Sequence, residues 1–322
     1  MKPALSVVFF TVASGAGLGL LAVLGVRVLF GLPWLMPETL PWAGALGLAL
    51  TIAGLASSTL HLANPRNAWR AFSRFRTSWL SREAVFAVAF LIVAFVFVLS
   101  LASNATGDGL RRLLAALTIV LAWKVLVCTA MIYASLKPIR QWHTRWTPVA
   151  YFVLGHLSGA LLLLALARYD ASNSIRIAHV CLVLILAAAL VKAGYWLAHG
   201  RAAGAPTIEQ AIGVAQGVRP PVRAGAPSVM QARLLDAGHT GRTFLTDEFG
   251  FRLARRYRAL LLAAFWLFGI VVPFAWVASG WWETPIIVGA CILHLAGLLA
   301  ERALFFADAR HTVRLYHGDA RT

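Results

Sequence analysis

Eight long apolar stretches, separated by polar segments, are the feature that most constrains the fold. Each stretch approaches the roughly 20 residues that an α-helix needs to cross a bilayer. None shows the period-two alternation of barrel strands, so all of them predict helices. The stretches lie at about 6–28, 41–62, 84–103, 113–135, 147–167, 176–198, 259–279 and 284–304. We therefore expect an all-α polytopic membrane protein, a single integral membrane domain of 322 residues with eight transmembrane helices in a bundle.

The charges of the sequence fit this class and suggest an orientation. Only 13% of the residues are charged, against about a quarter in soluble domains. Outside a long polar loop at 200–257, 13 basic residues lie on one side of the predicted membrane and 5 on the other. The positive-inside rule places the richer side, and with it both termini, in the cytoplasm. We assign the net charge of +17 to membrane lipid and protein partners, and we expect no nucleic-acid binding.

Two further features bear on partners and metals. The cytoplasmic loop at 200–257 begins rich in Gly, Pro, Ala and Arg. A loop of this length is usually functional or disordered, and partner binding is the functional alternative. Cys128, Cys181 and Cys291 fall far apart inside spans, and the sequence has no CxxC pair. This spacing predicts neither an iron–sulfur cluster nor a structural zinc in this protein.

The second polar segment, residues 58–83, reads STLHLANPRNAWRAFSRFRTSWLSRE. Arginines alternate there with tryptophan and phenylalanine, and protein interfaces are enriched in both kinds of side chain. Contact with anionic lipid explains part of this charge, and docking of a partner protein is the alternative. The candidate docking residues are Arg66, Arg70, Arg74 and Arg76.

Two residues that flank these arginines are candidates for quinone and proton chemistry. His61 ends span two, and a neutral imidazole can both donate to and accept from a quinone oxygen. Glu83 opens span three on the same side and could relay protons. The competing explanations are a histidine that touches headgroups and a carboxylate that stabilises a helix start. Arg82, Glu301 and Arg302 reach the same level as possible quinone-site neighbours, although the last two could also pair with each other or snorkel.

Four more polar residues fall inside predicted spans. Lys124 lies near the middle of span four, where we expect it to face the interior in a buried ion pair or a proton path. Lys192 lies near the end of span six and could be a snorkelling anchor. His156 and His294 lie near the midplane and could ligate a haem or join helices by hydrogen bonds. A transporter or proton channel centred on Lys124 is the alternative function from another class.

The segment LHLANPRNAWRAFSRFRTSWLSRE resembles the second-loop signature of the membrane anchor subunits of dimethyl sulfoxide reductase-type molybdoenzymes. Three other places resemble the same family: VFFTVASGAGLGL in span one, RWTPVAYFVLGHLSG at span five and ERALFFADARHTVRLY near the end. The resemblance extends over essentially all of the sequence, including the eight spans.

This resemblance implies a quinone-binding subunit with no metal or haem of its own and no active site for the terminal substrate. Its partners would be a molybdopterin catalytic subunit and a four-cluster, ferredoxin-like iron–sulfur subunit. The anchor would exchange their electrons with ubiquinone or menaquinone. The family's quinone-site histidine falls on His61, and its acidic neighbour falls on Glu83.

The number of arginines in the second loop departs from the family pattern, because the anchors of exported reductases carry fewer there. With the docking surface on the cytoplasmic side, the protein looks most like the anchor of the cytoplasmic sulfite dehydrogenase branch, in the bacterial inner membrane. That likeness implies sulfite oxidation coupled to quinone reduction. Quinol oxidation in a dimethyl sulfoxide reductase-type complex is the alternative.

Overall fold

The computed structural model describes residues 4–60, 65–103, 105–167, 171–201, 257–281 and 284–317. Over these residues, eight helices are long and apolar enough to cross a membrane, which confirms the predicted fold class. The continuous helices are α1 (Leu5–Leu29), α2 (Leu40–Thr59), α3 (Trp79–Ala102), α4 (Asp108–Ala134), α5 (Trp146–Leu166), α6 (Ala171–Arg201) and α8 (Thr284–Ala307). The seventh span, α7 (Arg258–Ser279), contains a π-helical turn. Short 3₁₀ helices occur at Pro37–Thr39, Pro65–Phe72 and Thr312–His317.

The two ends of the bundle differ in charge. Residues 65–78 and 135–145 connect helices at one end, which we call the basic end because both segments carry exposed arginines. The turns between α1 and α2 and between α3 and α4 lie at the opposite end. Because successive spans run antiparallel, the start of α3 and the end of α4 meet at the basic end.

Helix α1 runs through the centre of the bundle and contacts α2, α4, α5 and α8. It is buried along nearly its whole length, as expected of a helix that is apolar on all sides. The outer helices surround it: α3 packs on α2 and α4, α6 packs on α5, and α7 packs on α8. The position of every other helix therefore depends, directly or through one neighbour, on how closely its neighbours pack against α1.

Glycines set that close packing, as the run Gly15-Ala16-Gly17-Leu18-Gly19 suggests. A β-carbon on Gly17 would lie 2.6 Å from the backbone nitrogen of Thr51 on α2. A β-carbon on Gly19 would overlap the carbonyl of Gly155 on α5. Small residues allow helix backbones to approach in this way, and close packing is a main source of helix association in membranes.

A π-helical turn at Phe265–Val271 interrupts α7 just before Pro273. Proline has no N–H, so Pro273 cannot donate to the carbonyl four residues earlier, that of Gly269. The ring nitrogen Nδ1 of His294 on α8 lies 2.8 Å from this carbonyl oxygen and supplies a donor. His294 Nε2 lies 3.0 Å from the hydroxyl of Ser158 on α5. His294 thus joins three helices and satisfies a backbone group that lipid could not satisfy.

The α1–α5 contact can be tested with two alanine substitutions in the same helix. We expect Gly19→Ala to destabilise the protein by about 1–3 kcal/mol, because the new methyl group overlaps the α5 backbone. Gly15→Ala is the control, since a β-carbon there meets nothing within 4 Å. The midpoint of thermal unfolding in mild detergent measures both variants. Equal midpoints for the two variants would contradict the packing described here.

The role of His294 can be tested with a double-mutant cycle. His294→Leu removes the donor to the Gly269 carbonyl, and a buried group left unsatisfied costs about 1–3 kcal/mol. Pro273→Ala restores a backbone N–H that can reach the same carbonyl. We therefore expect the double variant to lose less stability than the sum of the two single variants, in the same thermal assay. Strict additivity would show that His294 does not act through this carbonyl.

Candidate functional site

The start of α3 determines where Glu83 lies. The sequence predicts that span three begins at about residue 84, but the helix begins at Trp79. Ser78 is the N-cap, and its hydroxyl accepts a hydrogen bond from the backbone N–H of Ser81 at 3.4 Å. Glu83 is therefore inside the helix, about one turn from its start, and it is not the capping residue. Its side chain is buried, with 6% of its surface exposed.

The Glu83 carboxyl group contacts the hydroxyl of Thr129 on α4. The same hydroxyl lies 3.0 Å from the carbonyl oxygen of Val125, one turn earlier in α4. Thr129 can therefore serve both protonation states of the acid. It donates to the carboxylate when Glu83 is ionised. It accepts from the carboxylic acid, and donates to Val125, when Glu83 is protonated.

A buried acid in this setting is suited to proton exchange. No lysine or arginine of the described ranges forms an ion pair with Glu83. A carboxylate buried without a counter-ion is costly, but the Thr129 hydroxyl can form a hydrogen bond with the neutral acid as well as with the carboxylate. Glu83 also lies only about one turn from the start of α3, at the basic end of the bundle. The Glu83–Thr129 pair is therefore the centre of the candidate site.

Lys124 lies on the outer surface of the bundle, contrary to the expectation that it faces the interior. Its ammonium nitrogen lies 5.1 Å from the centroid of the Phe86 ring, one turn beyond Glu83 on α3. The Phe75 ring packs edge-on against Phe86, with centroids 5.7 Å apart. Phe75, Phe86 and Lys124 thus contact one another where α3 meets α4, one helical turn from the buried acid. The transporter alternative requires Lys124 in the interior of the bundle, so its exposed position argues against that alternative.

The segment before α3 presents a basic, aromatic surface. Its four candidate docking arginines are all exposed, and so are the aromatic rings between them. The arginines are Arg66, Arg70, Arg74 and Arg76. Arg82 has a different role, because its guanidinium donates to the carbonyls of Phe75 at 3.0 Å and Arg76 at 2.7 Å. Arg82 therefore holds the segment in place rather than facing Glu83.

Two of the sequence predictions concern residues that the structure does not describe. His61 lies in the gap between 60 and 65, and most of the loop at 200–257 lies in the gap between 201 and 257. The described residues resume at Pro65, and the 3₁₀ helix that begins there packs on α3. The role of His61 in quinone binding stays a prediction.

A second buried acid, Glu301 on α8, is held by two cations. Its Oε1 atom lies 2.5 Å from the ammonium nitrogen of Lys192 on α6, and its Oε2 atom lies 3.3 Å from Nε of Arg302. All three side chains are buried. The Arg302 guanidinium carbon lies 3.7 Å from the centroid of the Tyr151 ring. Glu301 and Arg302 thus pair with each other, which is one of the expected alternatives, whereas Lys192 is a buried partner of this cluster and not a snorkelling anchor.

Two stacked tyrosines separate the two acids. Tyr133 is one turn beyond Thr129 on α4, and its ring stacks on Tyr151 with centroids 5.9 Å apart. Tyr151 in turn lies under Arg302. Glu301 and Arg302 therefore belong to a separate cluster, at the same end of the bundle as Glu83 but behind an aromatic layer. Their direct contact with a quinone, one of the sequence predictions, is not favoured by this geometry.

The two midplane histidines both use their ring nitrogens within the protein. His156 Nε2 accepts from the indole N–H of Trp123 at 2.9 Å, and Nδ1 lies 2.8 Å from the carbonyl of Phe152. Both nitrogens of His294 are occupied by Gly269 and Ser158. The two histidines therefore make the helix–helix and backbone hydrogen bonds that were the alternative to haem ligation. Among described residues, no group of three or more His, Cys, Asp or Glu side chains could hold a metal ion.

Comparison with known proteins identifies the family. The family described as DMSO reductase anchor subunit (DmsC) matches residues 1–307. A sulfite dehydrogenase subunit of Allochromatium vinosum is 33% identical over 98% of this sequence and 99% of its own length. The chain belongs to the DMSO reductase anchor subunit family. A polypeptide of the anaerobic dimethyl sulfoxide reductase of Escherichia coli is a more distant relative, 30% identical over 36% of this sequence and 42% of its own length.

Membership in this anchor family confirms the resemblance noted in the sequence. Together with the eight apolar helices, it makes the chain an integral membrane protein.

Sequence reasoning missed Thr129, whose hydroxyl contacts the Glu83 carboxyl group. Thr129 directly follows Cys128 inside a predicted span. Nothing in the sequence indicates that its hydroxyl has a partner on another helix, because threonines in helices often bond only to their own helix. Only the packing of α3 on α4 shows that this one reaches a carboxyl group.

The Glu301 cluster generates a stability prediction. Glu301→Gln leaves Lys192 and Arg302 buried without a carboxylate, so we expect a loss of about 3–5 kcal/mol. Asp308→Asn is the control, because its 3.1 Å pair with Arg258 is partly exposed and such pairs contribute about 0–1 kcal/mol. Thermal unfolding of the detergent-solubilised protein compares the two. A Glu301→Gln variant as stable as Asp308→Asn would show that the buried cluster is not required for the fold.

Proposed function

We propose that this anchor subunit binds quinone at the basic end of α3 and α4 and exchanges electrons between a partner iron–sulfur subunit and the quinone pool. The Glu83–Thr129 pair is the observation that supports this proposal most directly. The anchor itself carries no active site for the terminal substrate and acts as the non-catalytic subunit of an oxidoreductase complex.

The residues at the site fit a quinone. When bound, the quinone supplies the redox chemistry by taking up or releasing two electrons and two protons. Glu83 exchanges a proton at its carboxyl oxygen, and Thr129 keeps a hydrogen bond to it in either state. His61, at the end of span two, binds a quinone oxygen and orients the ring. Phe75 and Phe86, which pack against each other, provide apolar surface beside Glu83 for a quinone that enters from the lipid.

The partner subunits dock on the exposed basic segment. Interfaces are enriched in arginine and aromatic side chains, and this segment presents both side by side, as where the Arg70 guanidinium lies 5.7 Å from the Trp69 ring. We propose a ferredoxin-like iron–sulfur subunit as the direct partner and a molybdopterin subunit beyond it. Docking here brings the nearest cluster close to the start of α3, and therefore close to Glu83.

The relative that matches over nearly its full length is a sulfite dehydrogenase subunit, so we propose that electrons from sulfite reduce quinone through this anchor. The distribution of basic residues supports a bacterial inner membrane protein whose termini and basic end face the cytoplasm. The catalytic subunits are then cytoplasmic as well. Quinol oxidation in a dimethyl sulfoxide reductase-type complex is the alternative, and the more distant relative favours it.

The proposal predicts a selective loss of quinone turnover. In the purified complex, His61→Ala and Glu83→Gln should lower electron transfer to a soluble ubiquinone analogue by at least about 100-fold, the usual cost of losing a proton-transfer group. Sulfite-dependent reduction of an artificial acceptor that takes electrons from the iron–sulfur subunit should not change. Asp308→Asn, a carboxylate change at the same end, is the control. Full quinone turnover in both site variants would overturn the assignment.

A matched pair at Thr129 separates the hydroxyl group from the packing. Thr129→Ser keeps a hydroxyl and should keep most of the quinone turnover. Thr129→Val has nearly the same shape but no hydroxyl, so Glu83 loses its partner in both protonation states, and turnover should fall. Equal turnover in the two variants would show that the hydroxyl takes no part.

Copurification of a molybdenum subunit and an iron–sulfur subunit, identified by mass spectrometry, tests the partner assignment in the same preparations.

A further inference from the structure

The opposite end of the bundle carries a charged cavity that the proposed quinone site does not use. It has a volume of about 540 Å³ and lies where α1 and α3 end and where α2 and α4 begin. Its charged lining consists of Arg27, Glu38, Asp108, Arg111 and Arg112. The basic residues that the structure describes at this end are Arg27, Arg111, Arg112 and Arg176, and the first three of them line this one cavity.

Part of this lining is structural. Arg111 pairs with Asp108 at 3.1 Å and donates to the carbonyls of Ser100, Ser103 and Thr106. These bonds satisfy carbonyl groups at and beyond the end of α3, which the helix itself cannot satisfy. Arg111 and Asp108 are therefore committed to the protein and are not expected to bind a ligand.

The other three charged residues of the lining, Arg27, Arg112 and Glu38, keep polar atoms that could bind a ligand. Arg27 donates to the carbonyl of Leu35 at 3.0 Å, but its Nε atom is buried without a hydrogen-bond partner. Arg112 and Glu38 are exposed, and within the described residues neither forms an ion pair or a side-chain hydrogen bond. Two guanidinium groups and one carboxylate thus face the same cavity with free bonding capacity.

The location and the mixture of charges indicate the ligand. Helix ends of a membrane bundle lie at the level of the lipid headgroups. Guanidinium groups bind phosphate oxygens well, whereas Glu38 would repel a simple anion and attract an ammonium group. Leu113 and Leu117, which follow Arg112 along α4, have exposed side chains that offer an apolar surface for an acyl tail.

We propose that this cavity binds a zwitterionic phospholipid headgroup of the phosphatidylethanolamine type. Arg27 and Arg112 hold the phosphate, and Glu38 binds the ammonium group. The lipid fills the space between the ends of α1, α2, α3 and α4 and joins the four helices at the end opposite Glu83. This site is independent of the quinone, so quinone turnover and lipid binding can succeed or fail separately.

Native mass spectrometry of the purified complex tests the site. The complex is delipidated and offered phosphatidylethanolamine, phosphatidylglycerol or phosphatidylcholine with the same acyl tails. We expect the protein to retain phosphatidylethanolamine best. Arg112→Gln should weaken this binding by about tenfold, the usual effect of losing one charge-assisted hydrogen bond. Glu38→Gln should remove the preference for phosphatidylethanolamine over phosphatidylglycerol. Both residues are exposed, so the variants are expected to fold.

Arg176→Gln is the matched control, because Arg176 is an exposed arginine at the same end, on α6, outside the cavity. It should bind lipid as the unchanged protein does. Equal lipid binding by Arg112→Gln and Arg176→Gln would overturn the proposal. Inorganic phosphate and soluble phosphoethanolamine are offered in parallel. Binding of either one as tightly as the lipid would identify a soluble phosphate ligand instead and would also overturn the lipid assignment.

Discussion

The close packing of α1 against α2 and α5 is the constraint on which the rest of the structure depends. Glycines on both sides of the central helix allow backbone contact, and in a bilayer such contact replaces the hydrophobic effect as the force between helices. Because α2 and α5 are held in this way, α3 and α4 complete one side of the bundle and α6 to α8 the other. The meeting of α3 with α4, which creates the Glu83–Thr129 pair, follows from that arrangement.

Two buried acids, Glu83 and Glu301, lie at the same end of the bundle and have opposite kinds of partner. Glu301 has two cations, Lys192 and Arg302, so its charge is compensated and the group is fixed. Glu83 has a hydroxyl partner and no paired cation among the described residues. A compensated acid strengthens the contact between α6 and α8, whereas an uncompensated acid with a hydroxyl partner can change its protonation state. The difference in partners is the physical reason for assigning stability to one and proton exchange to the other.

Much of the fold could be predicted from the sequence, because the length and polarity of a membrane helix leave few alternatives. The eight spans and the packing role of the glycine run are examples. The details that depend on contacts between spans could not be predicted in the same way. Lys192 and Glu301 are 109 positions apart in the sequence, and nothing local shows that they pair. The cost of a lysine in a span predicts an interior position for Lys124, but the direction of one side chain depends on helix rotation, which the apolar pattern of α4 leaves open.

The most direct measurement is photocrosslinking of the intact complex with an azidoquinone, followed by peptide mapping. We expect labelled peptides from the start of α3 around Glu83 and from α4 between Lys124 and Tyr133, with labelling reduced by excess unmodified quinone. Competed labelling confined to other parts of the protein, such as the end of α1 around Arg27 and the start of α4 around Arg112, would contradict a quinone site at Glu83.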